Sequence, residues 1–262
     1  MSSESPLRVI FAAFLRSGLR ARRTRLFILL GLVPALLMIA VRLLEGSGAV
    51  ETGASGQFFS HLMLSLYFQL LIPVLALFFG SGVVNEELDN KTLVYLTSVP
   101  VRRRDVLLGK YLAAFLLAAL LVAAGFLLSF LASALERLGD AGAWAELGLF
   151  LGTALLALLC YSALFTALGA FMKKSILLGL FFVFGWESVV QYFPGVTQKF
   201  TIVHWIKSLL PLPPGQNSFL VFQLQPSPPM QSVLTLLVLG ALFLALAVFI
   251  FERKEYILSD NA

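Results

Sequence analysis

The sequence predicts an all-α membrane protein with six transmembrane helices, and three observations carry that prediction. Of 262 residues, 59% are hydrophobic and only 13% charged, about half the charged share of an ordinary soluble domain. Apolar runs long enough to cross a bilayer as a helix, about 20 residues each, recur along the chain. A β-barrel would alternate apolar and polar residues over about 10 positions, and that pattern does not occur. The 24 phenylalanines fit the same class.

Taken in order, the spans are predicted at about 26–44, 62–84, 111–135, 147–171, 175–193 and 231–251. Ahead of the first lies "PLRVIFAAFLRSGLRARR", residues 6–23. On a helix, Leu7, Ile10, Phe11 and Phe14 share one face, and Arg8, Arg16, Arg20 and Arg23 the other. That pattern predicts an N-terminal interfacial helix with its apolar face in lipid and its arginines toward anionic headgroups. The turn "MKK" at 172–174 makes a tight hairpin between spans four and five. Between spans five and six, the loop 194–230 holds seven of the 11 prolines around an apolar centre, "FTIVHWIKSLLPL". Pro-rich ends around such a centre predict a re-entrant or interface-lying helix, not another crossing.

Charge sets the orientation. The N-terminal stretch, the loop 85–110, the turn 172–174 and the C-terminal tail hold 15 of the 19 basic residues; Arg42, Arg137, Lys199 and Lys207 fall on the other side. Basic residues mark the cytoplasmic side, so both termini are expected there. The net charge of +5 is thus explained by topology and gives no reason to expect nucleic acid. One cysteine, Cys160, inside an apolar run, allows neither an internal disulfide framework nor a cysteine-based metal site.

The longest charged loop ends in "NKTLVYLTSVPVRRRDVLLGK", residues 90–110. No GxxxxGK[ST] motif is present, since Gly109-Lys110 lacks the upstream glycine and the following hydroxyl residue. The chain therefore cannot cradle a nucleotide by that route. Pro100 can start a helix that Val101 to Lys110 continue. Arg102, Arg103 and Arg104 present charge at several angles, Asp105 follows them, and Val106, Leu107 and Leu108 supply an apolar anchor. A short amphipathic helix parallel to the membrane is what a soluble partner could push against. Plain positive-inside topology explains the arginines alone, but not the flanking Pro, Leu strip and Gly-Lys.

This run resembles the signature of ABC-2-type transporter permeases, the membrane subunits of one class of ABC exporter. Glu86-Glu87 match the family's acidic pair, Thr92-Leu93 its Thr-Leu, Leu96 its leucine strip and Pro100 its proline. Arg102 to Arg104 match the basic group and Leu108-Gly109-Lys110 the close. Lys91 stands where many members have glycine. Trp186-Glu187 and the following Pro194-Gly195 are similar to many members too. The resemblance implies a single permease domain over 1–262, with an N-terminal elbow helix, six spans and a cytoplasmic coupling helix between spans two and three. It further implies that this coupling helix sits in a groove of a soluble ABC ATPase, present in two copies. That partner, not this chain, would bind ATP and Mg and do the hydrolysis. A second permease copy, identical or not, would pair around a pathway lined by spans two and five. The expected site is the plasma (inner) membrane of a prokaryote.

Polar residues inside spans need a reason. In span two, Ser65, Gln69 and Pro73 recur every four residues, and Gly80 continues the stripe; it reads either as pathway lining or as helix–helix hydrogen bonding. Glu187, in span five, could bind a cationic cargo, close a gate, or pair with Arg42 or Lys199. Gly148 and Gly152 form a GxxxG that suggests close packing in span four. Two rivals remain. An ATPase-driven membrane scaffold that transmits motion without moving a solute differs from a transporter in needing a large outer partner. A membrane-embedded CAAX-type protease would use Glu86-Glu87 with Lys91, and Phe200 with His204. The charge count puts those two groups on opposite sides of a core of about 30 Å, so they cannot share a site.

Overall fold

The computed structural model describes residues 6–20, 22–49, 58–59, 61–89, 102–134, 139–172, 174–191, 193, 196–210 and 226–254. Among them there are only helices and their connections. In chain order these are α1 (Pro6–Arg20), α2 (Arg22–Gly46), a π-helical segment Met63–Leu71 leading into α3 (Ile72–Asp89), α4 (Arg103–Ser133) and α5 (Ala141–Phe171). Then come α6 (Ser175–Phe181), a second π-helical segment Phe182–Glu187, α7 (Ser188–Val190), a 3-10 turn Val196–Phe200, α8 (Ile202–Lys207) and α9 (Pro229–Arg253).

Five of these helices are long and apolar enough to cross a membrane: Thr24–Gly46, Met63–Asn85, Arg103–Ser133, Ala141–Phe171 and Pro229–Arg253. At the sixth expected span, 175–193, the described residues form a shorter apolar helix, Ser175–Val190. Its 16 or so residues rise about 24 Å, short of a core of about 30 Å. Two other boundaries move. Span three begins at Arg103 instead of 111, and span four at Ala141 instead of 147. Charged or small residues there continue a helix whose middle is apolar, so composition marks the apolar middle and not the ends.

Burial sorts the helices. α5 lies at the centre, packed along α3 and α9 and also touching α4. Its core positions include Phe150, Ala154, Ala157, Leu158, Tyr161 and Phe165. α2 buries only one stripe, Thr24, Phe27, Ala35 and Met38, at the i, i+3, i+4 spacing of one helix face. The rest of α2, including Leu26, Leu29, Leu36 and Leu43, is exposed, as is most of α9. In a membrane that apolar exterior faces lipid tails.

Small residues let the backbones close. A Cβ on Gly80 of α3 would lie 2.7 Å from the Ser162 carbonyl oxygen of α5. One on Gly169 of α5 would lie 3.2 Å from the Ser81 carbonyl oxygen, and Thr166 Oγ1 donates to the Gly80 carbonyl at 3.2 Å. Without a hydrophobic drive between helices in lipid, such close approach is what holds a pair together. Gly148 and Gly152 play no such part: a Cβ at either position meets nothing within 4 Å. The close packing expected of that GxxxG is absent within the described chain, because this pair lies on the exposed face of α5.

Candidate functional site

Two regions collect the residues singled out by sequence. They lie at opposite ends of the bundle, termed here the basic end, where α4 begins, and the far end, where α8 sits.

At the basic end, Arg102 is the extended residue before α4, and Arg103, Arg104 and Asp105 form its first turn. All three arginines are exposed. Arg104 Nε lies 3.7 Å from Asp105 Oδ1. The expected separate helix parallel to the membrane is corrected: from Arg103 to Ser133 the helix is continuous. The reason is that no breaker lies between 103 and 133. Gly109, the one glycine near that junction, is buried in the packing, as is Lys110. Neither belongs to the exposed surface. The Lys110 ammonium lies 4.2 Å from the centre of the Phe14 ring, a cation–π contact. Lys110 and Phe14 line a cleft between α1, α3 and α4, shared with Ser17, Gly18, Val83 and Leu117. Its interior of about 40 Å³ holds a few waters, not a cargo.

α1 is a helix as expected, and Arg16 is exposed. Its apolar side, however, is not left to lipid. Ile10, Phe11 and Phe14 are half-buried, and Gly18 sits against Leu117 of α4. Thr24 Oγ1 donates to the Gly18 carbonyl at 2.6 Å, which ties α1 to α2. The side chains of Arg8, Arg20, Arg23, Glu86 and Glu87, and all of Pro100, lie outside the described residues.

At the far end, the stripe of span two does not hold to one face. Ser65 is exposed and donates to the His61 carbonyl at 2.7 Å, Gln69 is half-buried, and Pro73 and Gly80 are buried. The cause is the π-helical segment 63–71, whose i→i+5 bonds displace a four-residue spacing around the axis. Pro73 stands just beyond it. A proline removes one N–H and crowds the carbonyl four residues earlier, and the wider turns before it relieve that clash.

Glu187 is buried and bonds neither Arg42 nor Lys199. Its Oε1 accepts from the Ile202 amide at 2.9 Å and its Oε2 from the Val203 amide at 3.1 Å. Arg42 bonds Glu45 at 3.0 Å. The carboxylate therefore occupies the positive N-terminal end of α8, where unpaired amides and the helix dipole favour an anion. Thr201 caps the same end, its Oγ1 accepting from the His204 amide at 3.2 Å. Lys207 Nζ donates to Gln191 Oε1 at 2.8 Å, and Trp205 Nε1 to the Lys199 carbonyl at 3.0 Å. His204 Nε2 pairs with Ser227 Oγ at 3.1 Å. Burial holds the His204 imidazole below its usual range, with Lys199 adding to the effect. Burial also pushes the Lys207 ammonium down, while Glu187 pulls it back up.

Sequence reasoning singled out Glu187 without its partners and missed Gln191, Ser208 and Ser227. They are spread from Gln191, at the end of α7, to Ser227, whose amide donates to Ser208 Oγ at 3.1 Å, with no periodicity to connect them. The one available signal was the apolar stretch around Trp205, which marked this loop as packed and not free.

Among the described residues no group of three or more His, Cys, Asp or Glu could hold a metal ion. Glu86 and His204 belong to opposite ends of the bundle, so the protease constellation is not assembled. No curated protein is similar enough to the chain to match it. A family model described as ABC-2 family transporter protein matches residues 11–256.

Proposed function

The chain belongs to the ABC-2 family of transporter proteins, and from that premise we propose that it is a permease subunit driven by a separate ABC ATPase that docks on Arg102, Arg103 and Arg104. The observation that carries the docking assignment is electrostatic. Three exposed arginines stand at the N-terminus of a 31-residue helix, the end where the dipole already places positive charge. Each is unfavourable there by about 0.3–1 kcal/mol, and among the described residues only Asp105 answers them. An acidic groove on a soluble partner relieves that repulsion and gains charge-assisted hydrogen bonds.

α4 suits transmission. It is about 46 Å long at 1.5 Å per residue and packs on α1, α2, α3, α5 and α9. A push on its first turn moves a rod, not a loop. ATP and Mg bind in the partner, two copies of which act on two permease chains. The pair sits in a prokaryotic plasma membrane with both termini cytoplasmic and exports its cargo.

Reversing all three charges, Arg102→Glu with Arg103→Glu and Arg104→Glu, should reduce co-purification of the ATPase subunit by about tenfold or more while membrane insertion is unchanged. Undiminished co-purification would refute the docking assignment.

A further inference from the structure

One turn of α5, Leu159–Ser162, is touched by three other helices. From α3, Gly80 closes on the Ser162 carbonyl, with a Cβ position only 2.7 Å away. From α9, Gly240 closes on Leu159 and Cys160. From α4 comes a side chain: Tyr111 Oη donates to the Leu159 carbonyl at 3.2 Å and accepts from Ser162 Oγ at 3.2 Å. Tyr111 and Ser162 are both buried.

We propose that Tyr111 is the positioning residue through which displacement of α4 reaches the α3–α5–α9 core; the proposal rests on the ATPase-coupled reading above. Tyr111 stands eight residues, about 12 Å, along α4 from Arg103. It is thus within the first turns of the rod on which the ATPase acts. Immediately before it, Lys110 faces the Phe14 ring, so α1 is attached to the same stretch. On the other side, the tyrosine grips a carbonyl and a hydroxyl of the turn against which α3 and α9 are packed by glycine. Shifts carried by side-chain packing alone can slip between rotamers, whereas two directional bonds to one turn fix a register. The hydroxyl also cannot let go without loss. In a dry interior, an unpaired Tyr Oη has no water to turn to.

The test uses the full chain assembled with its ATPase subunit in lipid nanodiscs, with ATP as the probe. Tyr111→Phe keeps the ring and removes the hydroxyl. The ATPase subunit should co-purify at the wild-type level and KM for ATP should hold. The kcat of the complex for ATP hydrolysis should fall about threefold, the scale of one interhelical hydrogen bond in lipid. Ser162→Ala should lower kcat similarly, and the double variant should lose no more than the larger single loss. An unchanged or raised kcat, or additive losses, would overturn the proposal. So would a lower Tm and yield with normal kcat in the surviving complex, since that is a structural role only. Absence of ATPase co-purification with the wild-type chain would instead overturn the reading on which the proposal rests, and Tyr111 with it.

Discussion

In the basic half of the bundle, α3 and α5 cross with backbone nearly on backbone, Gly80 against Ser162 and Gly169 against Ser81. In the far half, α8 is held by side chains that bond amides and carbonyls: Glu187, Thr201, Gln191 and Trp205. The helices of the first region are regular, whereas both π-helical segments, Met63–Leu71 and Phe182–Glu187, lie in the second. The difference follows from what each half can offer. Where a glycine faces the backbone of the neighbouring helix, dispersion and short range do the work, and any side chain is an obstacle. Where a six-residue helix must be kept against a bundle, its unpaired amides cost more than its burial returns, so a carboxylate is needed at its N-terminus. The second arrangement can be released by breaking a few hydrogen bonds.

The most severe way to break this comparison is Gly80→Leu. The carbonyl it would strike belongs to the backbone of α5 and cannot turn aside, so the loss should be about 3 kcal/mol or more. Little monodisperse protein should survive detergent extraction. Gly148→Leu, which meets open space, should cost less than about 0.5 kcal/mol. If Gly148→Leu instead removes the folded protein or its self-association, a partner copy covers that face.

Next comes Glu187→Ala, which strips both amide bonds from the end of α8. Hydrogen bonds to a charged group contribute about 1.5–3 kcal/mol each, so losing the two should lower local stability by about 3–6 kcal/mol. Hydrogen exchange should rise in Ile202–Lys207 and stay unchanged across the α3–α5 crossing, and Glu187→Gln should keep much of the protection. Equal acceleration in both halves would show that they are one cooperative unit.

A smaller effect concerns pH. Because burial lowers the folded-state affinity of His204 for a proton, this group binds fewer protons in the folded form than in the unfolded one, and its own contribution to stability rises with pH. The contribution is fully present above the ordinary histidine value of 6.5 and declines as pH falls below it. The His204 share of the protection of α8, read as the difference in protection factor between wild type and His204→Gln at each pH, should therefore shrink between pH 7.5 and 5.5. A difference that does not change with pH, or that appears equally at the α3–α5 crossing, contradicts this account.

The smallest is Lys254→Ala. Lys254 Nζ donates to the Ala170 and Phe171 carbonyls, at 3.1 and 2.6 Å, so a cation closes the C-terminal end of α5. Removing it should cost about 0.3–1 kcal/mol, visible as faster exchange only over residues 168–172.

The chain by itself determined the class, because hydropathy is a property of composition: apolar runs at about 26–44, 62–84, 111–135, 147–171 and 231–251 have no other stable form in lipid. It also revealed the arginine cluster at 102–104 and the charge asymmetry, which need only counting. Tertiary structure decided how those parts are joined. That α4 runs unbroken through Lys110, that α1 packs on it and that a π-helical segment interrupts Ser175–Val190 all depend on neighbours absent from local sequence. Glu187 shows the reason most plainly. A carboxylate in an apolar run announces that something must satisfy it, but its partners, the amides of Ile202 and Val203, are 15 and 16 residues away across a loop. Backbone donors carry no residue-specific signature, so only the folded chain could identify them.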